Sequence, residues 1–93
     1  MRNRSRTEII AEILEIANIG NNSNNNDDGY GYYPPTKYKI TDDASLTYTQ
    51  MKEYVTMLTD TGLLSYDLDT RTFKTTEKGQ RFLRIYNNVG NVM

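Results

Sequence analysis

Ninety-three residues with a formal net charge of −1 leave room for one small hydrophobic core, and such a core gains from a partner when disulfides and metals are absent. The chain has neither cysteine nor histidine, which excludes disulfides, thiol catalysis, zinc sites built from those ligands and the commonest general base. No apolar run approaches a membrane span, and Met1-Arg2-Asn3-Arg4 does not lead into an apolar signal core, so the expectation is a soluble, cytoplasmic protein without a cofactor.

The first predicted element is a helix over about residues 6 to 18. Ser5-Arg6-Thr7-Glu8 fits a capping box, in which the Ser oxygen and the Glu carboxylate satisfy amides that a helix start leaves free. Ile9, Ile10, Ile13, Leu14, Ile16 and Ala17 recur at helical spacing, with Glu8, Glu12 and Glu15 on the other side. Gly20 is the expected stop. A flexible loop rich in Asn, Tyr and Gly is expected over about residues 19 to 35, because its first half lacks the apolar residues that offset ordering entropy. Tyr30, Tyr32 and Tyr33 are expected to pack on the domain surface, or to stack on a base. Pro34-Pro35 stiffens the exit.

Thr36 then reads as the N-cap of a short helix from Lys37 to about Asp43, centred on Ile40. Ala44-Ser45-Leu46 forms a turn, and Thr47-Tyr48-Thr49-Gln50 is a second capping box. The helix it opens spans about residues 47 to 61. It carries Met51, Tyr54, Val55 and Leu58 on one face, with Thr49, Lys52, Glu53, Thr56 and Asp60 opposite, and stops at Gly62. Leu63 to Tyr66 and Thr72 to Thr75 are β-prone runs around the polar tip Asp67-Leu68-Asp69-Thr70-Arg71. Thr76-Glu77 caps a last helix with Phe82, Leu83, Tyr86 and Val89 as its apolar residues, ended by Gly90-Asn91.

That order is an α+β, mostly α pattern: a winged helix-turn-helix with a three-helix core, a two-stranded wing and a C-terminal helix, forming a single domain over residues 1 to 93. Charge distribution agrees. Arg2, Arg4 and Arg6 lie on the N-terminal arm, and Arg71, Lys74, Lys78, Arg81 and Arg84 face only Glu77, whereas the stretch from Thr41 to Asp69 is acidic. A basic edge beside an acidic middle suits a limited footprint on phosphate.

Three blocks extend the reading. Leu46-Thr47-Tyr48-Thr49-Gln50-Met51-Lys52-Glu53-Tyr54, Thr61-Gly62-Leu63-Leu64-Ser65-Tyr66, and Thr72-Phe73-Lys74-Thr75-Thr76-Glu77-Lys78-Gly79-Gln80-Arg81-Phe82-Leu83 resemble the small archaeal winged helix-turn-helix proteins related to ArnR-type regulators. The resemblance implies binding of double-stranded DNA, sequence-related or architectural, usually by a homodimer. Some members extend the last helix into a long antiparallel coiled coil. With Met93 as the last residue, a dimer here is expected to use the short C-terminal helix through Phe82, Tyr86 and Val89, together with the first helix. The family usually has an apolar residue where Thr75 stands, so the second wing strand is expected to pack less tightly.

The expected function is that of a transcriptional regulator associated with the nucleoid. Thr47, Thr49, Gln50, Lys52 and Thr56 are candidates to read bases, since Gln can pair bidentately with adenine and Thr can offer its hydroxyl or methyl. Lys37, Lys39, Lys52 and Tyr48 are candidates for phosphate. Arg71, helped by Lys74, is the candidate for the minor groove or its backbone. Blander roles stand beside these: Tyr48 packed, Gln50 only capping, and Arg71 balancing Asp67 or Asp69. Glu53 and Asp60 on the presumed reading face repel phosphate, unless Glu53 accepts from a cytosine amine. The alternative function is a winged helix used for protein–protein contact. Enzyme activity is not expected. The close carboxylate pairs Asp42-Asp43 and Asp67/Asp69 lie in or beside turns, where Asp is common for backbone reasons.

Overall fold

The computed structural model describes residues 4–18 and 35–92, with side chains as far as Val89. Four helices and one hairpin follow in the order α1 (Arg6–Ala17), α2 (Lys37–Asp43), α3 (Tyr48–Asp60), β1 (Leu64–Asp67), β2 (Thr72–Thr75) and α4 (Glu77–Val92). The expected loop up to residue 34, with its tyrosines and the proposed stop at Gly20, lies outside the described residues.

Each helix start is explained locally. The Ser5 hydroxyl accepts from Glu8 N while the Glu8 carboxylate accepts from Ser5 N, closing the first capping box. The Thr36 hydroxyl accepts from Lys39 N. Thr47 and Gln50 close the second box at 3.0 Å in both directions. Leu46 and Met51, flanking that box, are both buried, as a hydrophobic staple requires.

Helix ends are equally specific. Gly62 takes φ +83°, so Gly62 N reaches Thr59 O and Leu63 N reaches Leu58 O, which terminates α3 in a Schellman motif. The same motif ends α2, with Ser45 N to Asp42 O and Leu46 N to Thr41 O, but there a serine holds φ +55°. One expected stop fails: α4 runs through Gly90 and Asn91 to Val92. A glycine weakens a helix interior by about 1 kcal/mol but ends a helix only where the chain turns left-handed.

The elements share one core. Ile13 and Leu14 from α1, Ile40 from α2, and Met51 and Leu58 from α3 are fully buried, and Leu64, Phe73 and Leu83 join them. Each such side chain contributes about 1.5–3 kcal/mol by leaving water. The α1 stripe differs slightly from expectation, because Ala11 is buried while Ile9, Ile10 and Ile16 are only partly covered.

The wing is an antiparallel pair with Leu64 opposite Thr75, Ser65 opposite Lys74, Tyr66 opposite Phe73 and Asp67 opposite Thr72. Period-two alternation puts Leu64, Phe73 and Thr75 inward and leaves Ser65, Asp67 and Lys74 exposed. Phe73 N donates to Pro35 O at 2.9 Å, so the segment leading into α2 lies along the outer edge of β2.

The expectation that Thr75 loosens this strand is not met. Thr75 is only 1% exposed, and its hydroxyl donates to Leu14 O at 2.6 Å. That carbonyl is among the last four of α1, which have no partner inside their own helix. The hydroxyl therefore joins β2 to the end of α1 where an apolar side chain would only fill space.

Candidate nucleic-acid interface

Helix α3 buries one face and presents the other. At 100° per residue, Met51, Tyr54, Val55 and Leu58 centre on the core side, and the diametrically opposite line runs through Thr49, Glu53, Thr56 and Asp60. All four of these are exposed. Lys52 lies on the flank of that line, toward Tyr48. Its ammonium stands 5.5 Å from the centre of the Tyr48 ring, and that ring is 51% exposed. A shallow concavity on this face is lined by Lys52, Glu53, Thr56, Met57, Asp60 and Thr61.

The first turn of α3 is already partly engaged. The Thr47 hydroxyl and the Gln50 amide oxygen serve the capping box, which leaves the Gln50 NH2 as the donor that can still face outward. Both residues are exposed, so capping and contact are compatible.

The basic residues separate into two groups. Lys37 and Lys74 are exposed. Lys39 pairs with Asp43 at 2.6 Å along α2 and thereby loses part of its value as a phosphate ligand. Arg4 pairs with Glu12 and also donates to Ser45 O at 3.3 Å, pinning the N-terminal arm to the helix-turn-helix turn. The Arg6 guanidinium sits 5.3 Å from the centre of the Tyr54 ring. Lys78 donates to Thr61 O at 2.8 Å, a cation on the carbonyl end of α3. Arg4, Arg6 and Lys78 belong to the basic edge in sequence but serve the fold in space.

The wing tip is a hydrogen-bonded turn. One Asp67 carboxylate oxygen accepts from Asp69 N at 2.8 Å and from Thr70 N at 3.4 Å, and Asp67 O accepts from Arg71 N at 2.7 Å. Arg71 adopts φ +58° and is exposed beside Leu68, which is 80% exposed. Among the described residues Arg71 forms no ion pair with Asp67 or Asp69. The acidic side chains do not converge either. Asp43 takes Lys39 and Asp67 holds its own turn, and no group of carboxylates among the described residues is arranged to hold a metal.

A family model described as winged helix-turn-helix matches residues 33–93. The chain belongs to the winged helix-turn-helix family. No curated protein matches it. In this winged helix, α1 lies ahead of the matched span yet supplies the core residues Ile13 and Leu14.

The Thr76-Glu77-Lys78-Gly79 run now has a physical meaning. Thr76 accepts from Gly79 N, caps α4, and donates its own hydroxyl to Gly62 O at 2.6 Å. Lys78 caps the end of α3. A Cβ on Gly79 would lie 2.4 Å from Leu63 O and 2.6 Å from Thr75 Cγ2, so only glycine admits this approach. The run joins α3, the wing and α4 at one point.

The winged helix leaves an apolar strip on α4. Ile85 is 66% exposed and Val89 59% exposed. Phe82 and Tyr86 are half-buried, stacked with ring centres 6.2 Å apart, and packed on the core. Two of the three expected dimer residues are thus partly committed to their own protomer. Ile85 was missing from the expected set, although its spacing from Phe82 and Val89 puts it on the same side. Among the described residues, no helix is long and apolar enough to cross a membrane.

Proposed function

We propose that this winged helix is a double-stranded-DNA-binding transcriptional regulator of the archaeal ArnR-like kind, acting in the cytoplasm on the nucleoid. Helix α3 enters the major groove, with Thr49, Lys52 and Thr56 toward base edges and Thr47, Tyr48 and Gln50 at its mouth. Lys37 meets phosphate, Lys52 also reaches it from the flank of α3, and Lys39, held by Asp43, contributes less. Arg71 and Lys74 on the wing contact the flanking backbone or minor groove. The observation that carries this reading is the division of α3, one face wholly core and the other wholly exposed and polar. Four phosphate contacts from Lys37, Lys52, Arg71 and Lys74 give a slope of about −3.6 in log K against log salt per protomer. Titrating duplex DNA at several salt concentrations against random competitor tests this. A flat salt response removes DNA binding.

The protein acts as a homodimer through α4, with Ile85 and Val89 at the centre of the contact and Phe82 and Tyr86 at its border. Ile85→Asp then yields monomers in sedimentation equilibrium, and an unchanged mass refutes that placement.

Glu53 and Asp60 on the outward line of α3 favour a second reading, a module that docks on a basic protein surface. Under that reading, Glu53→Lys abolishes partner binding without creating or losing affinity for duplex DNA.

A further inference from the structure

The line of α3 farthest from the core carries Thr49, Glu53, Thr56 and Asp60, two hydroxyls and two carboxylates with no cation among them. Lys52 stands off to the side over Tyr48. On a helix that faces a groove walled by phosphate, the central acids need a reason.

We propose that Glu53 is a specificity-determining residue that accepts a hydrogen bond from the exocyclic amine of cytosine or adenine in the major groove. This deepens the DNA-binding reading and rests on it.

One observation and two rules of hydrogen-bond chemistry lead to Glu53. It forms no ion pair among the described residues, so its carboxylate is not spent inside the protein. An ionised carboxylate only accepts hydrogen bonds, and the major-groove edge offers amine donors only on cytosine N4 and adenine N6. A carboxylate set against guanine O6 or thymine O4 meets another acceptor with its water removed, which is unfavourable. Glu53 therefore selects by attraction to one pair of bases and by repulsion from the other.

Position separates the two acids. Recognition helices touch bases with their N-terminal part. Glu53 is one turn beyond Thr49, whereas Asp60 is the last residue of α3, about 10 Å farther along the axis at 1.5 Å per residue. Thr49 and Thr56 bracket Glu53 at i−4 and i+3 and offer hydroxyls to the neighbouring base pairs.

The test is selection from a randomised duplex pool by the full chain, followed by titration of the selected site and its single-base variants. The wild type selects cytosine or adenine at one position, and placing thymine or guanine there weakens binding roughly 5- to 150-fold. Glu53→Ala, an exposed helical substitution checked for folding by circular dichroism, flattens the preference at that position alone and leaves the salt slope unchanged. Glu53→Gln shifts the preference toward adenine, the base Gln matches bidentately. If Glu53→Ala instead raises affinity for every sequence equally, or leaves the preferences as they were, the assignment is overturned. If the wild type shows no salt-dependent duplex binding, the DNA-binding reading itself fails and this inference falls with it.

Discussion

The junction around Gly62 to Gly79 and the outward face of α3 use the same residue types for opposite ends. At the junction, Thr76 gives its hydroxyl to Gly62 O and Lys78 gives its ammonium to Thr61 O. On the outward face, Thr49, Thr56 and Lys52 are exposed. A threonine or a lysine is structural where a backbone carbonyl faces it, and free for a ligand where solvent does. Composition does not separate the two cases.

The largest effect should come from breaking the junction. Gly79→Ala forces a Cβ against Leu63 O and Thr75 Cγ2, and overpacking of this severity costs about 3 kcal/mol. Thermal denaturation should show a fall in Tm of more than about 10 °C. A Tm within a few degrees of wild type would mean that α4 shifts to admit the Cβ, and the close approach at Gly79 would not require glycine.

Next is Thr75→Val, which keeps the shape and removes the hydroxyl that serves Leu14 O. An unpartnered buried carbonyl costs about 1–3 kcal/mol, read as a lower urea midpoint at constant m-value. Equal stability would make the contact between β2 and the end of α1 merely steric.

On the outward face the expected change is in binding rather than stability. Lys52→Ala combined with Arg71→Ala should flatten the salt slope by about 2 while moving stability by less than about 0.5 kcal/mol. A large loss of stability would place these side chains with the junction instead.

The smallest effect sharpens the contrast between the two Schellman turns. Ser45 holds φ +55° where Gly62 holds +83°. Ser45→Gly relieves left-handed strain of about 1–2 kcal/mol and adds unfolded-state entropy of about 0.5–1 kcal/mol. A net gain of about 0.5 kcal/mol in chemical denaturation is expected.

Much of the fold was legible in the residues themselves. Both capping boxes, the stop at Gly62, the paired runs around Asp67 to Arg71 and the buried face of α3 rest on interactions within a few positions along the chain. Such interactions act wherever the sequence occurs, so periodicity and turn chemistry reveal them. The exposed residues on α3 were equally legible, because they follow from the buried ones by helical geometry.

Long-range pairing was not. Thr75 reaches Leu14 O across 61 positions, Arg4 reaches Ser45 O across 41, and Lys78 reaches Thr61 O across 17. Neither partner carries a local mark of the other, so Thr75 read as a weak strand residue and Lys78 as part of a basic edge. By itself the sequence determined which of the described segments are helix, turn and hairpin, the end of α4 apart, because those choices depend on near neighbours. Only the tertiary structure decided which hydroxyls and cations are consumed by the fold and which face outward, because that depends on which distant carbonyl or carboxylate arrives beside them.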